Sequence, residues 1–166
     1  TVSLVAILAG LAAPSFQAQI DNSRLGSHSS TLMSSLLFAR SEAIKRNTRV
    51  VLCKSADGES CTTSGDWQQG WIIFVDADNN ATRATTEQVV QQMPALSGTF
   101  KLSGNTNIAN YVSYAGVGSA LLTGGGFQAG RFTLCKISAT GGDSREIIIN
   151  ATGRPRTEKS SVTSCA

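Results

Sequence analysis

The segment that most restricts the fold is residues 1–16, which read TVSLVAILAGLAAPSF and contain no charged side chain. A run of about 20 apolar residues is needed to cross the hydrocarbon core of a bilayer, so this one is slightly short. A helix with no polar side is typical of a membrane segment, whereas a core helix at the end of a chain normally keeps one polar face. We therefore expect residues 1–16 to be part of a membrane-embedded helix, with a buried core helix as the alternative.

Residues 17–47 carry apolar side chains at helical spacing, while serines, Glu42 and Lys45 fill the other side. The pattern predicts an amphipathic helix that continues the apolar segment, with Pro14 bending the helix rather than ending it. His28 has no acidic or nucleophilic neighbour in the sequence LGSHSS and is expected to be an exposed spacer residue. The apolar positions are Ile20, Leu25, Leu32, Leu36, Ala39 and Ala43, with Met33, Leu37 and Ile44 beside them.

Beyond Asn47 the pattern changes to short runs rich in β-branched and aromatic residues, separated by Gly, Ser, Asn and Asp. This change predicts an α+β protein, in which the long helix packs on a β-rich globular domain of antiparallel strands at residues 48–166. The glycine-rich segment GVGSALLTGGGFQAG lacks the Lys-Ser/Thr pair of a phosphate-binding loop and is expected to be a mobile loop. The predicted strands are TRVVLCK, GWIIFVD, EQVVQQM, GTFKLS, ANYVSYA, GRFTLCKI and REIIIN.

The four cysteines form no CxxC pair and are accompanied by one histidine, so a structural zinc site lacks suitably spaced ligands. Two disulfides are the simpler interpretation, and three pairings are possible. We favour Cys53–Cys61, which closes a short loop after a strand, and Cys135–Cys165, which ties the tail to a late strand. Disulfides indicate an oxidising compartment such as a periplasm or the cell exterior.

The net charge of +3 is unevenly distributed along the chain. Residues 1–80 hold six basic and seven acidic side chains, residues 81–130 hold two and one, and residues 131–166 hold six and three. The positive excess therefore lies in the C-terminal region, where it favours a polyanionic partner or an acidic surface.

Catalysis is disfavoured because the histidine is isolated and the cysteines are expected to be oxidised, and we predict neither an enzyme nor a cofactor. In DADNNATRATTE, the side chains of Asp76, Asp78, Asn80 and Glu87 have the spacing of a calcium loop. Ala81 stands where that loop needs glycine, so a polar turn is favoured and calcium binding is left open. Trp67 and Trp71 are interpreted as core aromatics rather than a base-stacking platform.

Two longer segments, LLFARSEAIKRNTRVVLC and SGDWQQGWIIFVDADNN, together with the hydrophobic stretch that reaches Ala-Pro, resemble the type IV minor pilins and pseudopilins of the FimT, FimU and GspH group. The resemblance implies a type IV pilin-like fold and a precursor cleaved behind a short leader. It also implies anchoring in a bacterial inner membrane with a periplasmic globular domain, followed by assembly with other major and minor pilins into a fibre at the cell surface.

The tail sequence GRPR matches, at Gly153, Arg154 and Arg156, the GRxR motif of DNA-binding FimT pilins. Pro155 favours an extended chain, in which residues two apart project to the same side, so the two arginines should form a fork suited to phosphate oxygens. A Cys135–Cys165 bond would place the fork in a closed loop. Lys159 is expected within this loop. Three further basic residues are expected near it: Lys136, Arg131 and Arg145.

These features predict a minor pilin that binds double-stranded DNA without sequence preference and serves DNA uptake in natural transformation. The alternatives are a FimU-like structural minor pilin of the pilus tip and a GspH-like secretion pseudopilin, neither of which binds DNA. In both alternatives the GRPR segment would be only a solvated basic turn.

Overall fold

One unbroken helix, α1 (Val2–Arg46), forms the first quarter of the computed structural model, which describes residues 2–138 and 140–165 and their side chains from residue 16 onward. The helix ends at Asn47, whose φ of 49° is left-handed. Asn47 N–H donates to the Ile44 carbonyl and Thr48 N–H donates to the Ala43 carbonyl, at 3.2 and 3.3 Å. These two bonds form a Schellman motif, which satisfies carbonyls that the last turn would otherwise leave unpaired.

One stripe of α1 is buried in the globular domain. Each large aliphatic side chain in it contributes about 1.5–3 kcal/mol by leaving water. Ile20, Leu37 and Ile44, which were predicted to lie with this stripe, are instead exposed, because the sheets contact a single side of the helix. The buried apolar residues are Leu25, Leu32, Leu36, Ala39 and Ala43.

The first antiparallel sheet contains four strands in the order β3-β2-β1-β5. Val50 and Leu52 of β1 face the core beneath α1, while Val51 and Cys53 face a second apolar cluster with Ile72. Both faces of β1 and β2 are covered, which explains why their sequences, VVLCK and WIIFV, are almost continuously apolar. The strands are β1 (Val50–Lys54), β2 (Trp71–Val75), β3 (Val89–Met93) and β5 (Tyr111–Tyr114).

The second antiparallel sheet has the strand order β4-β6-β7-β8. Phe132, Ile147 and Ile149 belong to the main core on the face beneath α1. Its strands are β4 (Phe100–Gly104), β6 (Gly130–Lys136), β7 (Gly142–Ile149) and β8 (Pro155–Val162). Of two short 3-10 helices, Trp67–Gln69 lies between β1 and β2 of the first sheet, and Thr106–Ile108 connects β4 of the second sheet to β5 of the first.

Strand β8 was not predicted from the sequence. Its residues, PRTEKSSV, are mostly polar and begin with proline, and both features disfavour an internal strand. The strand lies at the edge of the sheet and begins at Pro155, and proline, which has no N–H to donate, is tolerated on edge strands and at the first position of a strand. The tail is therefore a paired strand rather than a free loop.

The glycine-rich segment also differs from its prediction as a mobile loop. It folds back on itself through the bridges Tyr114–Ala120 and Leu121–Phe127. Gln128 N–H donates to the Ala120 carbonyl at 2.9 Å, which holds the returning chain in place. Gly124 and Gly125 occupy the tip of this small hairpin, and Gly125 has a left-handed φ of 86°.

The predicted membrane segment at residues 1–16 lies almost entirely outside the side chains that the structure describes. Within the described part of the chain, no helix combines the length and the apolar character needed to cross a membrane.

Candidate nucleic-acid interface

The GRPR sequence begins in the turn that joins β7 to β8. Gly153 N–H donates to the Asn150 carbonyl at 2.9 Å, and Asn150 N–H donates to the Arg154 carbonyl at 3.4 Å. Gly153 has a left-handed φ of 77°. A turn followed by one left-handed residue is a common three-residue hairpin loop, and glycine adopts that conformation without steric cost.

The same glycine allows the turn to approach a neighbouring loop closely. A Cβ at position 153 would lie 2.5 Å from the Gly118 carbonyl oxygen and 2.9 Å from the Ala120 nitrogen. The Gly118 carbonyl also accepts a bond from Arg40 Nε of α1 at 2.9 Å. The turn that carries Arg154 is thus positioned against a loop that is itself bonded to the helix.

Three arginines share the face of the second sheet that points away from α1. The strand register pairs Arg156 with Ile148, and Ile148 with Arg131 on the next strand. Because side chains alternate between faces, these residues lie on the face opposite Ile147 and Ile149. Arg154 extends the same ladder through its carbonyl and falls on the same side. We call Arg131, Arg154 and Arg156 the outer-face arginines.

Two glutamates partly neutralise the outer-face arginines. Arg156 Nε lies 2.9 Å from Glu158 Oε1, and Arg131 Nη1 lies 3.1 Å from Glu146 Oε2. Solvent-exposed pairs of this kind are worth only about 0–1 kcal/mol, so another anion can replace the carboxylate. The Arg154 guanidinium has no hydrogen bond or ion pair with any described residue.

The other predicted basic residues, Lys136, Arg145 and Lys159, lie on the opposite face, toward the N-terminal half of α1. We call them the helix-face basic group. Lys136 Nζ forms an ion pair with Asp21 Oδ2 at 2.5 Å, and Arg145 Nη2 donates to Asn22 Oδ1 at 3.3 Å. The register pairs Lys159 with Arg145. The structure therefore divides the single predicted cluster, because alternation along β6, β7 and β8 assigns its members to two faces.

Both disulfides of the structure join the pairs favoured above, Cys53–Cys61 and Cys135–Cys165. The second bond does not enclose the arginine fork in the expected way. Cys135 pairs in register with Ser144, and Ser144 with Ser160, which is four residues along β8 from Arg156. The fork is held by the β7–β8 hairpin instead, because the tail forms a strand.

The acidic loop after β2 brings three carboxylates together. Oxygens of Asp76, Asp78 and Glu87 lie within 4.8 Å of one another. Asp76 is buried and accepts bonds from Ala81 N–H at 3.0 Å and Asn80 N–H at 3.1 Å. Burial raises the pKa of the Asp76 carboxyl above its ordinary value, and the neighbouring carboxylates act in the same direction. The geometry is that of a hydrogen-bonded polar turn.

The structure also shows the environments of His28, Trp67 and Trp71. His28 is half-buried rather than an exposed spacer, because its ring packs edge-on against Phe100 at 5.1 Å, and burial lowers its pKa. Trp67 and Trp71 are fully buried, and Trp67 Nε1 donates to the Ile108 carbonyl at 3.0 Å. Neither tryptophan offers a surface on which a base could stack.

The glutamate partners of the arginines were not predicted from the sequence. The pairing of Arg156 with Glu158 had a visible signal, since the two residues stand two apart in the extended segment RPRTE and so share a face. The pairing of Arg131 with Glu146 had none, because it depends on the register between β6 and β7.

The family of the chain is identified by a match to a protein-family profile. The profile described as "Type II transport protein GspH" matches residues 28–153. The chain belongs to the GspH family. The match to the GspH profile covers the second half of α1, both sheets up to β7 and the turn at Gly153, and it stops one residue before Arg154. No curated protein sequence matches the chain.

Solved structures show the fold of the chain. The crystal structure of the type IV minor pilin FimU from Pseudomonas aeruginosa PAO1, in space group P21, matches with a TM-score of 0.66 at 19% identity. That match covers 88% of this chain and 98% of the FimU chain. FimU in space group P65 matches with a TM-score of 0.61 at 19% identity, over 85% and 99% of the two chains.

This chain therefore combines membership of the GspH family with the fold of the minor pilin FimU. Its long helix on antiparallel sheets is the pilin architecture, and pilins are structural proteins rather than enzymes.

Proposed function

We propose that this pilin binds double-stranded DNA, without sequence preference, through Arg154 and Arg156, and that it serves DNA uptake in natural transformation. Arg131 is the third cation of the interface. In this proposal the protein is first held in the bacterial inner membrane with its globular domain in the periplasm, and it then joins other major and minor pilins in a fibre.

The observation that carries the proposal is the position of the GRPR hairpin. Gly153 packs against the Gly118 loop and so orders the turn before any ligand arrives. Arg154 and Arg156 then project from one face, and the Arg154 guanidinium has no partner among the described residues. Ordering these cations in advance reduces the conformational entropy that binding would otherwise cost. Guanidinium groups also match phosphate oxygens in a bidentate manner.

The affinity of one subunit should be low. Three arginines face two glutamates on this surface, so its net charge is only +1. Contacts to phosphates alone give sequence-independent binding that weakens with salt. Useful capture of DNA would therefore require several subunits along one fibre, since avidity multiplies weak sites.

A second candidate is a structural minor pilin or pseudopilin without DNA binding. It is favoured by apolar side chains that α1 exposes on the surface turned away from the sheets, including Leu37, Phe38 and Ile44. Such side chains suit contacts with other pilin helices in a fibre. Deletion of the gene separates the candidates: DNA uptake should fail under the first, whereas loss of protein export alone would assign the chain to a secretion system.

The DNA proposal is tested by the salt dependence of binding to a duplex. Replacing Arg154 and Arg156 together by alanine should flatten the plot of log affinity against log salt by about two units, since each phosphate contact contributes a slope of roughly −0.9. Lysine at either position should give intermediate affinity, because it keeps the charge and loses the planar fork.

The matched control removes the same charge from elsewhere on the surface. A double Arg24→Ala/Lys159→Ala variant should retain the slope of the parent, because these exposed residues lie on the helix side of the domain. If the double arginine variant were folded and bound DNA with the parent's slope, the GRPR segment would be a solvated turn and the structural candidate would replace the DNA proposal.

A further inference from the structure

The helix-face basic group lies beside the first charged part of α1. The sequence from Thr1 to Ile20 contains no charged residue, and Asp21 is the partner of Lys136. Lys159 and Arg145 border a polar cavity of about 340 Å³, which Gln19 and Asn22 of the helix complete. The three cations are thus positioned where the uncharged part of the helix gives way to its charged part.

The helix geometry gives the height of this group above a membrane. Each helical residue rises 1.5 Å, so Asp21 lies about 7–8 Å beyond residue 16. The polar headgroup layer on each side of the hydrocarbon core is about 5–7 Å thick. If residues 1–16 are embedded, as the proposed function assumes, the cavity lies at the outer edge of the headgroups.

The neighbouring surface has the composition of a membrane interface. Phe16 is 69% exposed, Ile20 is 45% exposed and Ile137, next to Lys136, is 52% exposed. Aromatic and apolar side chains at this level enter the acyl boundary, while basic side chains above them reach the lipid phosphates.

The charges on this surface have unequal freedom to bind a ligand. Asp21 engages Lys136, and the Arg145 guanidinium donates to Asn22 and to the Ser144 carbonyl. Lys159 forms no hydrogen bond or ion pair within residues 16–138 and 140–165. Adding the exposed Arg24, four basic residues face Asp21 and Asp143, which leaves a net charge of +2.

We propose that, while the protein is in the membrane, the helix-face basic group binds the headgroups of anionic phospholipids, with Lys159 as the principal contact and Arg145 as the second. This inference rests on the membrane stage of the proposed function. It does not depend on DNA binding, because the outer-face arginines lie on the other side of the sheet.

The test uses the full chain in nanodiscs of phosphatidylcholine, with or without about a third phosphatidylglycerol. Binding to the folded state raises the melting temperature. Two basic side chains in contact with an anionic surface should raise the melting temperature by roughly 4–8 °C in the anionic discs. Lys159→Gln should remove about half of this gain, and high salt should remove most of it.

Arg156→Gln is the matched control, since it removes one positive charge from the other face of the same strand and should leave the gain unchanged. An equal loss of the gain in Arg156→Gln and Lys159→Gln would overturn the inference. So would a gain that inorganic phosphate reproduces in phosphatidylcholine discs, which would indicate a site for free anions.

Insertion of the chain into the discs distinguishes a failure of headgroup binding from a failure of the proposed membrane stage. A chain that enters both kinds of disc without any gain from the anionic lipid contradicts headgroup binding and leaves the membrane stage standing. A chain that enters neither disc contradicts both.

Discussion

The outer-face arginines and the helix-face basic group have the same charge and lie on the same strands, yet their surroundings differ. Lys136 and Arg145 are engaged with Asp21 and Asn22 of α1, so they help to hold the helix on the sheet. The guanidinium groups of Arg131 and Arg156 pair with glutamates of their own sheet, and that of Arg154 has no partner among the described residues. Local charge is therefore a poor guide to function until the face of each residue is known.

The largest expected effect is the loss of stability when the Cys135–Cys165 bond is removed. We expect this bond to stabilise the fold and not to position the outer-face arginines. Removing it with a double Cys135→Ser/Cys165→Ser variant should lower the free energy of unfolding by about 3–4 kcal/mol, given the 30-residue separation. Urea denaturation measures this loss. At a temperature where the variant is folded, its affinity for DNA should equal that of the parent, and a marked loss of affinity would show that the bond does position the fork.

A smaller effect is expected from Gly153→Ala, which tests whether the turn positions the outer-face arginines. A left-handed φ of 77° and contacts of 2.5 Å and 2.9 Å with the neighbouring backbone oppose a Cβ. The cost should be about 2–3 kcal/mol in urea denaturation, and DNA binding should weaken although no charge has changed. Gly124→Ala is the control, since a Cβ there meets nothing within 4 Å. Equal stability of the two variants would contradict this role for Gly153.

The third prediction concerns the helix-face basic group and pH. The hydrogen bond from Lys136 lowers the pKa of the Asp21 carboxyl below its ordinary value of 3.8. As the pH falls, the Asp21 carboxyl of the unfolded chain therefore binds a proton before that of the folded chain does. The stabilisation by the Lys136–Asp21 pair is complete above the unfolded pKa and is lost as the pH falls through the folded pKa. Urea midpoints between pH 5 and pH 2 should therefore fall more steeply for the parent than for Asp21→Asn.

DNA binding at neutral pH supplies the control for that variant. It should be the same in Asp21→Asn and in the parent, because Asp21 belongs to the helix-face surroundings. Identical acid profiles of the two proteins would show that the Lys136–Asp21 pair contributes nothing to stability.

The smallest effect is expected from Glu158→Gln, which leaves Arg156 without its carboxylate partner. An exposed pair worth about 0–1 kcal/mol should yield an increase of roughly two- to fivefold in affinity for DNA at low salt. Fluorescence anisotropy with a labelled duplex measures the change, and urea denaturation should detect little difference in stability. Unchanged or weaker binding would mean that Arg156 does not contact the phosphates.

Helices and strands whose apolar residues follow a regular pattern could be predicted from the sequence alone. The helix was recognised because apolar residues recur every three or four positions, and seven strands were recognised from β-branched and aromatic runs bounded by turn residues. Strand β8 was not, because an exposed edge strand has no apolar side to display. Its assignment required the hydrogen bonds to β7.

The candidate site was predicted in part. The GRPR segment, its glycine and its two arginines could be selected from the sequence, and the expected projection of both arginines to one side follows from the extended chain alone. The grouping of Lys136, Arg145 and Lys159 with them was wrong, because it was inferred from the loop that the Cys135–Cys165 bond closes, whereas strand register decides the face of each residue. His28 was misplaced for a related reason, since its partner Phe100 is distant in the chain.

By itself, the sequence determined that the chain would be a long helix followed by antiparallel strands, because periodicity is a local property of neighbouring residues. The expectation that Arg154 and Arg156 project to the same side rests on an equally local property, the alternation of side chains along an extended segment. Only the tertiary structure decided which cations face outward and which bind the helix. The reason is physical: each strand offers two faces, and the choice between them depends on the register with its neighbours and on the side that the helix covers.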